Sequence, residues 1–247
     1  MSDELIEGFL ATGRLGRVKD RPAAERLARS ILCRIVAWRA RRAPLRLGVA
    51  PQDLDARVVA LCRPMVEGLL GPEAAVVLPR LPACVRVVTP ATYPALVEDV
   101  PLETAWDLAN LLLDGMGAPT LSDDAPTLDG LSHATIGYVL PEAFRAGDVL
   151  VHELAHVLHS VPRRRFDLAP ADAPVLRVPP ARRETFAWAC EWWARCERAA
   201  DPVGAAAIAC AGPAPEDARV DAELLARTLR AAASGAGWSA VRGLVGR

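Results

Sequence analysis

Lysine is almost missing from this 247-residue chain: Lys19 is the only one, and every other base is arginine. Together with the abundant alanine, that bias points to GC-rich coding DNA more than to a function. No run of about 18 apolar residues is free of charge or proline, so no membrane span is expected. The N-terminus, Met1-Ser-Asp-Glu-Leu-Ile-Glu7, is acidic where a secretory signal is basic and then apolar, and a cytoplasmic protein is expected. The six cysteines (Cys33, Cys62, Cys84, Cys190, Cys196, Cys210) include no CxxC pair. They read as reduced core residues, which excludes a disulfide framework and a cysteine-based metal knuckle. Internal repeats and long low-complexity tracts are also lacking.

What is present suits an ordinary globular protein: 52% hydrophobic residues and 24% charged, enough to bury a core. Charge is uneven although the net is −1. Between residues 14 and 46, eleven bases from Arg14 to Arg46 face only Asp20 and Glu25. Apolar residues at helical spacing within it (Leu27, Ile31, Ile35, Trp38) predict a helix over 22–42, closed by Pro44. Its basic face offers a contact for nucleic acid or an acidic partner. No aromatic interleaving or known nucleic-acid motif accompanies it, so a solvated face is the preferred reading.

Further along, a helix is predicted over 52–70, interrupted by Pro64, then a strand at Val85–Thr89 and a helix over Leu102–Met116. A Pro-, Ser- and Asp-rich loop follows at 117–130, then a second strand at Ala134–Leu140. Asp148 is placed to cap a helix over Val149–Ser160, which is apolar almost all round and therefore buried. After a connection at 162–182 come helices over Arg183–Ala199, over 216–233 and near the C-terminus. This order implies an α+β fold with a small mixed sheet and a mainly helical remainder. The expected division is a helical N-terminal region, 1–80, and a catalytic domain, 81–247.

The buried helix contains His152-Glu153-Leu-Ala-His156, an HExxH pattern, in a chain with four histidines. Positions i and i+4 lie one above the other on a helix, so both imidazoles reach one ion at about 2.0–2.1 Å. Glu153 projects beside that ion, where it can take a proton from an activated water and pass it to a leaving amine. Two histidines and a glutamate inside an apolar helix need a strong partner, and Zn²⁺ is the obvious one.

The stretch 134–199 resembles the zincin metallopeptidases, in which a strand precedes the HExxH helix and lines the substrate cleft. The metzincin continuation is excluded, because His159 and Pro162 stand where that branch has glycine and histidine. His159 lies about 10 Å along the axis from His152, too far to share an ion while the helix holds. It reads as a cleft residue supporting a ligand. The resemblance to gluzincins implies a glutamate ligand on a later helix, often in ExxA. Glu184-Thr-Phe-Ala187 and Glu191-Trp-Trp-Ala194 both qualify; Glu184 is favoured, and the other glutamate can orient a ligand histidine. Asp167 and Asp172 are weaker candidates. An oxyanion stabiliser is also implied, with His133, Tyr138, Arg182 and Arg183 as candidates. Trp188, Trp192 and Trp193 read as core or as the lining of a pocket.

The expected function is a zinc peptidase acting on a peptide or protein. An HExxH enzyme using zinc or non-haem iron to modify a peptide or small metabolite is the alternative, and a binding or regulatory protein on a zincin scaffold is the third possibility.

Overall fold

The computed structural model describes residues 3–246. Helices α1 (Asp3–Thr12), α2 (Arg21–Ala40) and α3 (Leu54–Leu70) come first, followed by a short α4 (Ala74–Val77). Strand β1 (Val85–Val87), a turn of helix α5 (Tyr93–Leu96) and α6 (Leu102–Gly115) lead to strands β2 (Gly130–His133) and β3 (Ile136–Val139). After another single turn, α7 (Ala143–Ala146), the rest is helical: α8 (Asp148–Ser160), α9 (Arg183–Glu197), α10 (Pro202–Ala211), α11 (Ala222–Ala231) and α12 (Trp238–Arg242). The protein is thus α+β and mostly helical, with one three-stranded sheet in the order β1-β3-β2. Among the described residues, no helix is long and apolar enough to cross a membrane.

Contacts divide the chain into two units, each assembled from separated segments. One comprises the residues up to Ala50 with Val87–Leu131 and Tyr138–Glu142; the other comprises Pro51–Arg86, Ser132–Gly137 and the chain from Ala143 onward. This cut differs from the linear boundary at residue 80. The reason is that α3 and α4, expected with the N-terminal helices, pack among the C-terminal ones.

In the first unit α2 lies on α6. Asp20 caps α2 by accepting from the Ala23 N–H at 3.0 Å, and Pro22 occupies its first turn. Ala24, Ala28, Leu32 and Val36 recur every four residues and are buried, while the arginines stay on the other faces. On α6, Ala105, Leu108, Ala109 and Leu112 are fully buried.

In the second unit α8 packs along α9, and α3, α11 and α12 close around the pair. Leu150, Leu154 and Leu158 form the inner stripe of α8, all fully buried, and each contributes about 1.5–3 kcal/mol. Val161 takes an extended conformation and Pro162 follows, which ends the helix.

Three local expectations are corrected. Helix α3 runs straight through Pro64, because Val58, Cys62, Met65, Val66 and Leu69 on its buried face outweigh the lost hydrogen bond, a loss of about 3 kcal/mol. Gly130–His133, which begins at the last residue of the expected loop and otherwise lies outside every expected element, is a strand: it pairs with β3 across the two-residue turn Ala134-Thr135, where Ala134 has φ 53°. Asp148 is not the cap of α8. That position belongs to Gly147 at φ 81°, where a Cβ would meet a Leu61 methyl at 2.7 Å. Asp148 is instead the first helical residue, and its carboxylate pairs with Arg195 (2.7 Å) and Arg198.

Candidate metal centre

The α8/α9 contact aligns His152 and His156 of α8 with Glu184 and Glu191 of α9. Nε2 of His152 and Nε2 of His156 face each other at 3.2 Å. Glu184 Oε2 lies 3.3 Å from His156 Nε2. One donor atom from each of the three side chains falls within 4.8 Å of the others. Two atoms bound to a tetrahedral ion at 2.0–2.1 Å are about 3.3 Å apart. The spacing and the two-imidazole, one-carboxylate donor set therefore fit a zinc ion.

Each donor is aimed by a group behind it. The Glu191 carboxylate only accepts, so His152 Nδ1–H donates to Glu191 Oε2, at 3.1 Å. Arg195 holds Glu191 Oε1 at 2.9 Å. His156 Nδ1 lies 3.0 Å from His159 Nε2, and His159 Nδ1 lies 3.2 Å from Ser160 Oγ. With the proton of His152 and of His156 on Nδ1, both Nε2 lone pairs are free for a cation. Glu184 Oε1 is taken by Arg219 at 3.0 Å, and Arg219 is in turn paired with Asp217 at 2.6 Å. The Trp188 ring stands edge-on to His152, with centroids 5.0 Å apart, and Trp192 meets Trp188 in turn edge-on at 6.1 Å; Trp193 is buried.

Electrostatics follow from this burial. Glu153 is 6% exposed. Burial pushes its carboxyl up to about 7; the His152 charge opposes that rise, the nearby Glu184 and Glu191 charges reinforce it, and a hydrogen bond from Ser132 opposes it. Burial lowers His159 to about 4, and a proton on His156 or the Arg183 cation would repel a second charge there, so this ring is neutral. Burial also disfavours a charged His152, yet the Glu191 hydrogen bond and the three surrounding glutamates outweigh it and raise its pKa. Glu184 resists its own burial: the His156 contact and the Arg219 cation hold it below the ordinary carboxylate range.

Among the expected residues, the structure thus brings together His152, His156, Glu184, Glu191 and His159, with Glu153 beside them. His133 sits half-buried on β2, and its neighbour Ser132 hydrogen-bonds Glu153. Tyr138 is buried on β3 and belongs to the other unit. Asp167 pairs with Arg80 and Asp172 with Arg164, outside the cluster. Arg182 and Arg183 are exposed at the start of α9. The basic residues of α2 are partly spent on their own unit: Arg29 donates to the Val97 carbonyl, Arg39 to those of Pro119 and Thr120, and Arg42 stacks 4.3 Å over Trp38.

Two participants carried little sequence signal. Arg219 falls inside the helix expected over 216–233, which in the structure begins only at Ala222. Ser132 lies between the expected loop and the expected strand, in residues assigned to neither. Gly137 did carry one, because glycine inside a strand marks a close backbone approach. A Cβ there would lie 3.2 Å from Glu153 Cβ, so the missing side chain lets β3 run directly over the HExxH turn. None of the protein families, curated proteins or solved structures compared with the chain matches it.

Proposed function

We propose that this chain is a zinc-dependent peptidase of the gluzincin kind, with His152, His156 and Glu184 holding the ion and Glu153 acting as general base. The observation that carries this reading is the convergence of the three donors at 3.2 and 3.3 Å, with a buried carboxylate one residue after the first of them. When bound, zinc supplies Lewis acidity, which polarises a substrate carbonyl and makes water acidic enough to react near neutrality.

The protein's own residues supply the rest. Glu153, raised toward neutrality by burial, is matched to accept a proton from the attacking water and return it to the departing amine. Ser132 fixes its carboxyl, and β3, the central strand of the sheet, passes over it at Gly137. Glu191 and His159 hold the ligand imidazoles in their metal-binding tautomer. Arg219 is the cation nearest the cluster through Glu184, which makes it the best-placed side chain to stabilise an oxyanion.

Glu153→Gln tests the assignment. The variant is expected to retain zinc and to lose turnover of a peptide mixture by about 10²–10⁴-fold, the usual share of a positioned acid–base group. Undiminished cleavage by the variant would remove the base. Iron in anaerobically purified protein, with oxygen-dependent modification of peptides in place of cleavage, would move the site to the oxidative alternative.

A further inference from the structure

A cavity of about 560 Å³ opens beside His159, lined among others by Asp172, Ala173, Arg177, Val178 and Arg183. This lies within the roughly 300–1,000 Å³ typical of ligand pockets. His159 also touches the proposed ligand set, since its ring centroid is 5.2 Å from that of His156. A single imidazole therefore separates cavity from metal centre, an offset of one or two residues of extended peptide at about 3.3–3.6 Å each.

The charge in this cavity is one-sided. Arg177 and Arg183 line it, are exposed, and make no ion pair with a carboxylate among the described residues. Its one acid, Asp172, is already bound to Arg164. Arg183 is also the first residue of α9, so the positive end of a 15-residue helix points the same way.

We propose that this cavity is a carboxylate-binding subsite, selecting peptides with an aspartate or glutamate side chain, or a free C-terminal carboxylate, within two residues of the scissile bond. The inference rests on the peptidase reading for its register, and its test does not depend on turnover. Guanidinium groups bind carboxylates through paired N–H donors, and lysine lacks that fork.

The test uses the full-length, zinc-loaded Glu153→Gln protein, which cannot consume its probe. Fluorescein-labelled hexapeptides are titrated by fluorescence anisotropy in four forms: glutamate or glutamine at the central position, each with a free or an amidated C-terminus. At least one carboxylate form is expected to bind about tenfold or more tightly than the glutamine amide, as charge-assisted hydrogen bonds of 1.5–3 kcal/mol imply. Comparison of the forms tells side-chain from terminal recognition. Arg177→Ala with Arg183→Ala is expected to abolish the preference while zinc retention stays intact, and the paired lysine variants are expected to restore part of it. Equal affinity for all four peptides, no binding by any, or a preference that survives both alanine changes overturns the subsite. Acidic peptides that bind but are never cut by the protein with Glu153 restored leave the subsite standing and remove the peptidase reading.

Discussion

Helices α2 and α8 handle polar residues in opposite ways. Helix α2 carries arginine on its outward side, yet it buries only alanine, leucine and valine, and its guanidinium groups end on backbone carbonyls, on Glu25 one turn along or in solvent. Helix α8 carries no arginine or lysine, but Glu153 and His159 are buried and His152 and His156 nearly so, each answered by a group on the same helix, on α9 or, for Glu153, on β2. The lesson is that charge density locates a surface, whereas buried polar groups that face one another locate a site. Exposed charges gain little from neighbours in water. Buried ones are tolerated only where partners are built in.

The sharpest way to break this comparison is to remove a ligand. His152→Ala or His156→Ala is expected to leave the protein folded and empty after gel filtration, with no zinc by elemental analysis and no turnover. Next in size, Glu191→Gln is expected to weaken zinc affinity about 10–100-fold, the range for groups that orient a ligand histidine, measured by competition with a chelating dye. A pH experiment then probes the burial itself. Glu153 titrates near 7 in the folded protein and near 4.5 when exposed, so the unfolded chain releases its proton first. Stability from this group is therefore complete below about 4.5 and is lost as pH rises through about 7. In chelator-treated protein, Glu153→Gln is expected to gain Tm on the wild type across that window, and a constant difference would contradict the burial argument. The smallest effect belongs to α2: Arg26→Ala with Arg34→Ala is expected to change stability by less than about 0.5 kcal/mol per substitution, with zinc affinity and turnover unchanged.

The part of the site that was legible in the sequence follows from helix geometry. His152 and His156 at i and i+4, with Glu153 between them, specify one face of one turn, and seven residues of separation put Glu184 and Glu191 on one face of α9. Which glutamate meets the ion depends on the offset between two helices, a tertiary quantity. The structure sets Glu184 against His156 Nε2 and Glu191 against His152 Nδ1, which puts Glu184 in the three-donor cluster. The fold was legible where periodicity was strong, as in α2, α6, α8 and α9. It was not legible at β2, whose Gly-Leu-Ser-His sequence has no strand preference of its own and is held by pairing with β3. Nor was it legible at Pro64, where packing overrides a local helix breaker, or at Arg219, placed by a loop that the Asp221 N–H anchors to Thr185 Oγ1 at 2.9 Å.

X-ray absorption at the zinc edge of the metal-loaded protein tests the donor set most directly. Two imidazole nitrogens and one carboxylate oxygen at about 2.0–2.2 Å are the expected scatterers, with the carboxylate contribution lost in Glu184→Ala. A sulfur scatterer at about 2.3 Å, or zinc surrounded by water alone, would contradict the assignment of His152, His156 and Glu184 as its ligands.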